Sequence, residues 1–142
     1  MRTEVRRAKK SLPIRLAAQQ IIRDVVGHKN WIGQVEALHA WVRDNVQYIR
    51  DIRGVETLQT PEKTLEFRQG DCDDQSLLLA ALLESVGHPT RFIAISLSPF
   101  GQYAHVYTET KIGERWVPVE TTEKWQMGDG PKHVIKRMIA NN

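Results

Sequence analysis

Apolar residues recur at helical spacing through the first half of the chain and predict four helices, over about residues 11–26, 30–47, 60–67 and 72–86. A polar residue able to cap a helix precedes each of the first three, and proline stands in the first turn of the first and the third. Glycine follows the first and the fourth. The first half is therefore predicted to be helical.

The period of the pattern changes after Pro89, and the second half is typical of strands. Residues 90–98 are apolar and β-branched on both faces, as expected of a central strand. Two further strands are predicted over 103–112 and 115–120, and a last helix over 131–140. Helices followed by an antiparallel meander predict an α+β fold, with the helices packed on an antiparallel sheet of at least three strands.

The fourth predicted helix joins the most apolar run of the chain to its only cysteine. Residues 77–83 read LLLAALL and cover every direction around a helix, so this helix is expected to be buried. Cys72 stands in the first turn, where free backbone N–H groups and the helix dipole favour a thiolate. The alternative is a small buried hydrophobic residue, which the polar stretch GDCDDQS at 70–76 disfavours.

A predicted hairpin places two possible partners of the cysteine on one face of the sheet. Gly113-Glu114 is typical of a tight two-residue turn, which pairs Ile112 with Arg115. Continuing that register puts His105 and Glu120 on the same face as diagonal neighbours, about 7–8 Å apart. A carboxylate beside an imidazole orients it and makes it more basic. The alternative for His105 is a strand histidine with satisfied hydrogen bonds and no chemical role.

Composition and charge are those of one globular domain over residues 1–142. The chain is 41% hydrophobic and 26% charged, and it is long enough for one core. Its net charge of +3 is uneven, because residues 1–15 carry +5 and the rest carry −2. We therefore expect residues 1–11 to form a basic, poorly ordered N-terminal arm. We disfavour nucleic-acid binding by this arm.

Cysteine content and hydropathy limit the kinds of site and the compartment that we expect for this chain. No apolar stretch approaches the roughly 18 residues of a membrane span, and no unbroken apolar segment follows the basic N-terminus. A single cysteine excludes an internal disulfide and a cysteine-based zinc site. We expect a cytoplasmic protein with no membrane partner.

Three segments in this order resemble the transglutaminase-like superfamily of papain-like cysteine enzymes: GDC at 70–72, AHVY at 104–107 and WVPVETT at 116–122. Two upstream stretches also resemble the family, WVRDNVQYIRD at 41–51 and TPEKTLEFRQGDC at 60–72. The resemblance covers about residues 30–122. It implies a papain-like or transglutaminase-like core in which the cysteine begins a helix packed against the sheet.

The resemblance implies a catalytic triad of Cys72, His105 and Glu120. Cys72 attacks an amide carbonyl, His105 carries the proton, and Glu120 orients the imidazole ring. Aspartate is usual at the third position of the family pattern, so Glu120 is a departure. Glu109 falls on the same predicted face and is the fallback acid.

The oxyanion formed in such a reaction needs two donors. One is expected to be the backbone N–H of Cys72 at the helix start. Gln69 is the first choice for the second donor, with Trp41 and Tyr48 as alternatives. For each of these three side chains the competing interpretation is a packing or solvent-facing role.

The resemblance leaves the reaction open, because hydrolysis, deamidation and transfer to an amine share one acyl-enzyme. Small bacterial and phage members favour a peptidase or amidase acting on a peptide or protein substrate, and a phage-encoded chain would be virion-associated. The alternatives are a transglutaminase or deamidase with the same triad, and a non-catalytic peptide- or protein-binding module. This rests on analogy between folds.

No cofactor is required for this chemistry, but the acids beside the cysteine raise the alternative of calcium. Some bacterial periplasmic proteases of the superfamily bind calcium through a D-C-E-D stretch, and residues 71–74 read D-C-D-D. The ligands would be Asp71, Asp73 and Asp74, since calcium prefers clustered carboxylates. The competing interpretation is an acidic turn that caps the helix, with the three carboxylates pointing away from the thiol.

Overall fold

The computed structural model describes residues 1–25, 30–50, 58–96, 105–132, 134 and 136–142. Their helices and strands are, in chain order, α1 Arg2–Ala8, α2 Leu12–Ile22, α3 Trp31–Asn45, β1 Gln47–Tyr48, α4 Pro61–Phe67, β2 Gln69–Gly70, α5 Cys72–Ser85, β3 Thr90–Ser96, β4 His105–Ile112, β5 Arg115–Val119 and β6 Lys136–Asn141. The predicted element ends at residues 26, 98 and 103 lie outside the described residues.

Polar residues begin the helices largely as predicted. The side chains of Asn30 and Thr60 each accept a hydrogen bond from the backbone N–H three residues later, at the starts of α3 and α4. Ser11 precedes α2 but does not cap it, because its hydroxyl donates to Glu62 at 3.3 Å instead. Pro13 still stands in the first turn of α2, where a missing N–H costs nothing.

Helix α5 is the centre of the fold, as its all-round apolar sequence predicts. Residues 77–83 have no exposed side-chain surface, and α5 packs against α1, α2, α3, α4, β3 and β4. The helix ends before Gly87, which takes a φ of +94° that glycine adopts without strain. None of the described helices, α5 included, is long and apolar enough to cross a membrane.

Four antiparallel strands form the main sheet, in the order β5-β4-β3-β6. The predicted pair Ile112–Arg115 is present, and the same register runs back to Thr108–Val119. Gly113 has a φ of +62°, as a tight two-residue hairpin requires. Strands β1 and β2 form a separate parallel pair, and β2 directly precedes α5 in the chain. The mixed helix and sheet architecture agrees with the predicted α+β class.

The predicted helix over residues 131–140 is wrong, because the end of the chain forms strand β6. This strand pairs antiparallel with β3 from Arg91–Asn141 to Ser96–Lys136. The reason is tertiary, since β3 is buried and its backbone N–H and C=O groups need partners along both edges. Only the folded sheet offers β6 that unpaired edge, so the local sequence pattern does not reveal it.

The N-terminal segment also differs from the poorly ordered arm that its charge predicts. Residues 2–8 form α1, whose Val5 side chain is buried in a cluster with Leu77, Ala80 and Phe92. On the outer side of α1, Arg7 bonds to Glu62 at 2.8 Å. Burial of one apolar stripe therefore orders this segment, and its excess of positive charge lies on the solvent side.

Candidate active site

Cys72 is the first residue of α5, and a reciprocal pair of aspartates forms the helix start around it. The Asp71 carboxylate accepts the Asp74 N–H at 3.0 Å, and the Asp74 carboxylate accepts the Asp71 N–H at 3.2 Å. A side chain at Gly70 would meet the Asp74 Cβ at 2.6 Å, so glycine is needed at this position. The half-buried thiol therefore stands on a capped, anchored helix end.

The surrounding carboxylates hold this end in place. Both carboxylate oxygens of Asp74 accept bonds from Gln59, at 2.8 Å from its backbone and 3.2 Å from its side chain. Burial raises the pKa of Asp71 to about 6, and the negative charge of Asp74 adds to the rise. Asp73 is the exception to the expectation that the acids point away, since its Oδ1 lies 3.9 Å from the Cys72 Sγ.

Two hydrogen bonds join α5 to β4 one turn beyond the cysteine. The Ser76 hydroxyl donates to the Val106 carbonyl at 3.1 Å, and the Thr108 hydroxyl donates to the Ser76 carbonyl at 3.0 Å. Val106 directly follows His105 in β4. These bonds set the helix against the strand and so set the distance between the sulfur and the imidazole.

His105 and Glu120 meet across the hairpin, as the predicted register requires. The His105 Nε2 lies 2.5 Å from the Glu120 Oε2. The other carboxylate oxygen, Oε1, accepts from the backbone N–H groups of Thr121 and Thr122 and from the Thr122 hydroxyl, at 2.9 to 3.1 Å. Glu120 is only 1% exposed, so every bond that its carboxylate needs comes from these groups.

Electrostatics in this cluster favour a protonated imidazole and an ionised Glu120. Burial acts to lower the pKa of His105, but hydrogen bonding to Cys72 and to Glu120 outweighs it and raises the pKa to about 10. Burial acts to raise the pKa of Glu120, but bonds from His105 and Thr122 lower it overall. The structure therefore brings the Cys72, His105 and Glu120 side chains together into one interacting group.

The fallback acid Glu109 and the possible oxyanion donor Trp41 each interact with arginine. Glu109 is buried and bonds to Arg91 at 2.6 Å and to Arg137 at 3.2 Å. The Arg68 guanidinium lies 4.5 Å above the ring of Trp41. Each of these side chains is thus engaged by arginine.

A cavity of about 460 Å³ opens beside the imidazole. Its lining includes His105, Glu120 and Tyr48, whereas Cys72 and Gln69 are not among the described residues that line it. Burial raises the pKa of Tyr48, and the charge of the nearby Cys72 sulfur adds to the rise. Gln69 is exposed in strand β2, and its carbonyl accepts a hydrogen bond from the Gln59 side chain at 3.1 Å. Of these two candidates, Tyr48 is the one that lines the cavity beside the imidazole.

Sequence reasoning missed several residues that hold the site together. Thr122 and Ser76 bond to it through hydroxyls, and the WVPVETT segment contains a signal for the first, since threonine after an acid can donate back to it. His39 on α3 bonds to the Glu120 carbonyl at 2.6 Å. The sequence feature that could have identified His39 is its place beside Val35, Leu38 and Val42, the buried apolar residues of the same helix.

The acids beside Cys72, which are the possible calcium ligands, take part in the helix cap. Asp71 and Asp74 direct carboxylate oxygens onto the N–H groups of the helix start, which leaves no cluster of three open carboxylates. No group of three or more His, Cys, Asp or Glu side chains in the described ranges is placed to hold a metal ion.

Comparisons with known proteins agree with this arrangement. The family model of the transglutaminase-like superfamily matches residues 18–121. The fold resembles a "putative cysteine protease" from Cytophaga hutchinsonii, with a TM-score of 0.62, 22% identity and coverage of 91% of this chain and 46% of that one. It also resembles a "putative protease" from Parabacteroides distasonis, with a TM-score of 0.65, 15% identity and coverage of 83% of this chain and 25% of that one. The chain thus spans less than half the length of either neighbour. A comparison with curated proteins finds no match.

Proposed function

The chain belongs to the transglutaminase-like superfamily, and from that premise we propose that it is a cysteine-dependent peptidase or amidase. In this proposal Cys72 is the nucleophile, His105 is the general acid and base, and Glu120 orients and charges the imidazole. The observation that carries the proposal is the single interacting group of sulfur, imidazole and carboxylate, drawn from a helix, a strand and the end of its hairpin partner.

The first half of the reaction follows from which imidazole nitrogen is free. Nε2 faces Glu120, so Nδ1 is the nitrogen left to face the sulfur. The Cys72 thiolate attacks the amide carbonyl carbon, and the C=O electron pair moves onto the oxygen. When the C–N bond breaks, the leaving amine takes the His105 proton and the acyl group stays on sulfur as a thioester.

Water resolves the thioester in the second half. The neutral imidazole takes a proton from water as the oxygen attacks the acyl carbon, and the C–S bond then breaks. The carboxylic acid leaves, and the thiolate and imidazolium are restored. Glu120 stays ionised throughout, because its bonds from Thr121 and Thr122 favour the carboxylate.

The oxyanion of both tetrahedral intermediates meets the backbone N–H of Cys72 in this proposal. That N–H belongs to the first turn of α5, where no carbonyl within the helix accepts it. For the second donor, Tyr48 is favoured over Gln69 and Trp41, because its side chain lines the cavity beside His105. One variant replaces Tyr48 by Phe and keeps Gln69, and a second replaces Gln69 and keeps Tyr48. Comparing them tests which side chain is the second donor.

Alkylation by iodoacetamide tests the thiolate–imidazolium pair without knowledge of the substrate. The unmodified chain is expected to react across about pH 5 to 8. Both His105→Ala and Glu120→Gln are expected to slow the reaction at the acidic end of that range. A rate like that of a free thiol, unchanged by either substitution, would contradict the catalytic proposal and favour the binding module.

Mass spectrometry of a peptide library then identifies the reaction. Hydrolysis of internal amides gives two fragments, and deamidation of glutamine adds about one mass unit. Transfer appears only when a primary amine is added. Cys72→Ser is the matched control, since it keeps the size of the side chain and removes most of its nucleophilicity. Products that form only with the amine would overturn the hydrolase assignment and leave the acyl-enzyme standing.

A further inference from the structure

Helix α3 contacts the chain segment that follows β5 at two points. The His39 Nε2 lies 2.6 Å from the backbone carbonyl oxygen of Glu120. One turn later, the Arg43 Nη1 donates to the Trp125 carbonyl at 2.9 Å. Residues four apart share a face of a helix, so one face of α3 contacts both ends of the segment 120–125.

The direction of the His39 bond is fixed by its partner. A carbonyl oxygen accepts and does not donate, so the Nε2 of His39 carries the hydrogen. The side chain is 1% exposed. Burial lowers the pKa of His39 and the positive charge of Arg43 adds to the fall, despite the bond to the Glu120 carbonyl and the negative charges of Glu120 and Asp44. At neutral pH the ring is thus a neutral donor aimed at the backbone of the acid.

Glu120 depends on this bond because the sheet no longer holds it. The pairing of β4 with β5 ends at Thr108–Val119, one residue before Glu120. From there the chain turns, and the N–H groups of Thr121 and Thr122 point back at the Glu120 carboxylate. Because that carboxylate and its donors belong to one short turn, the carbonyl held by His39 sets the direction of the whole turn.

We propose that His39 is a positioning residue that aims the Glu120 carboxylate at His105 by holding the backbone carbonyl of Glu120. This inference rests on the proposed function. Arg43 extends the contact to Trp125, a residue of the cavity wall. Helix α3 thereby orients the acid through its backbone, without touching the reacting atoms.

Two polar substitutions separate positioning from simple packing. A glutamine amide nitrogen reaches about where the histidine Nε2 lies, whereas an asparagine amide nitrogen reaches only about as far as Nδ1. His39→Gln is expected to keep the bond, and His39→Asn is expected to lose it. His39→Leu removes the donor while filling the space.

The readouts are the imidazole titration of His105 by NMR and the pH profile of kcat/KM. His39→Asn and His39→Leu are expected to shift the His105 titration to lower pH and to lower kcat by about 10- to 100-fold with KM little changed. His39→Gln is expected to stay close to the unmodified chain in both readouts. Circular dichroism checks that each variant folds. If His39→Leu does not fold, the comparison of His39→Asn with His39→Gln still tests the inference.

The outcomes of the two proposals can be told apart. If His39→Asn lowers stability but leaves the His105 titration and the pH profile unchanged, His39 is a packing residue and the inference is wrong. If the unmodified chain turns over no substrate but the variants still move the His105 titration, positioning stands and the proposed function fails.

Discussion

Glu120 is one methylene longer than the aspartate usual at this position of the family pattern, and its surroundings fit the extra length. One carboxylate oxygen reaches the imidazole, and the other accepts three donors from the following two threonines. An exposed acid would not be held this way, but Glu120 is buried. At the scale of the residue, the departure from aspartate is compensated by the turn that follows it.

The His105–Glu120 pair predicts a pH dependence of stability. Hydrogen bonds to Cys72 and to Glu120 raise the folded pKa of His105 to about 10, above its ordinary value of 6.5. The stabilisation is therefore full below about pH 6.5 and is lost as pH rises through about 10. Glu120→Gln removes the charge, so the His105 titration should move to lower pH and the gap in unfolding free energy between the two chains should close above pH 10. NMR titration and urea unfolding across this range measure both. A titration that stays near 10 in Glu120→Gln would show that Glu120 contributes nothing to the raised pKa of His105.

The start of α5 shows at the scale of the element why the cysteine needs its particular neighbours. Gly70 leaves room for Asp74, and Asp74 with Asp71 caps the first turn that carries the thiol. The apolar run that follows is buried among the other helices and the sheet. The helix end is therefore both capped and anchored, which is the preorganisation that a nucleophile requires.

Gly70→Ala is expected to disturb this helix end, because the new Cβ would lie 2.6 Å from the Asp74 Cβ. Loss of the cap should lower the unfolding free energy by about 0.5–2 kcal/mol and slow alkylation of Cys72. Gly113→Ala is the matched control: nothing lies within 4 Å of its Cβ, but its φ of +62° strains an alanine. It should cost stability, by about 1 kcal/mol, without changing the reactivity of Cys72. Equal effects of both variants on alkylation would show that the cap does not control the reactivity of the Cys72 thiol.

At the scale of the whole molecule, helix α1 and strand β6 both pack onto the central elements. Helix α1 covers one side of α5 and β3 through Val5, while β6 pairs with the free edge of β3. From sequence, the first segment was expected to be a solvated arm and the last a helix. Both are integrated because the buried α5 and β3 leave an apolar surface and a row of backbone groups that need partners.

Val5→Ala tests whether α1 belongs to the core. Two buried methyl groups are lost, so the unfolding free energy should fall by about 2 kcal/mol. Arg2→Ala on the exposed side of the same helix is the control and should change stability by less than about 0.5 kcal/mol. Urea unfolding compares them. If Val5→Ala behaves like Arg2→Ala, α1 is a solvated arm as its charge first indicated.

Much of the fold could be predicted because its evidence is local. The caps at Asn30 and Thr60, the buried run 77–83 and the Gly113 turn each depend on a few neighbouring residues. The hairpin register then placed His105 and Glu120 on one face, since pairing alternates faces with a fixed period. The helix expected over 131–140 is wrong for the opposite reason, because the residues of β3 that pair with this segment lie 40 to 50 positions upstream, from Ser96–Lys136 to Arg91–Asn141.

The sequence by itself determined helices α2 to α5, strands β3 to β5, the hairpin register and the position of the only cysteine at a helix start, because short-range backbone preferences and hydrophobic periodicity decide these. Only the tertiary structure decided that His39 holds the Glu120 backbone, that Arg91 and Arg137 engage Glu109, and that Asp71 and Asp74 bond to the helix start. These contacts join side chains to groups distant in sequence or leave a choice among several acids. Such a choice is settled by which buried polar group needs a partner, and that need exists only once the chain has folded.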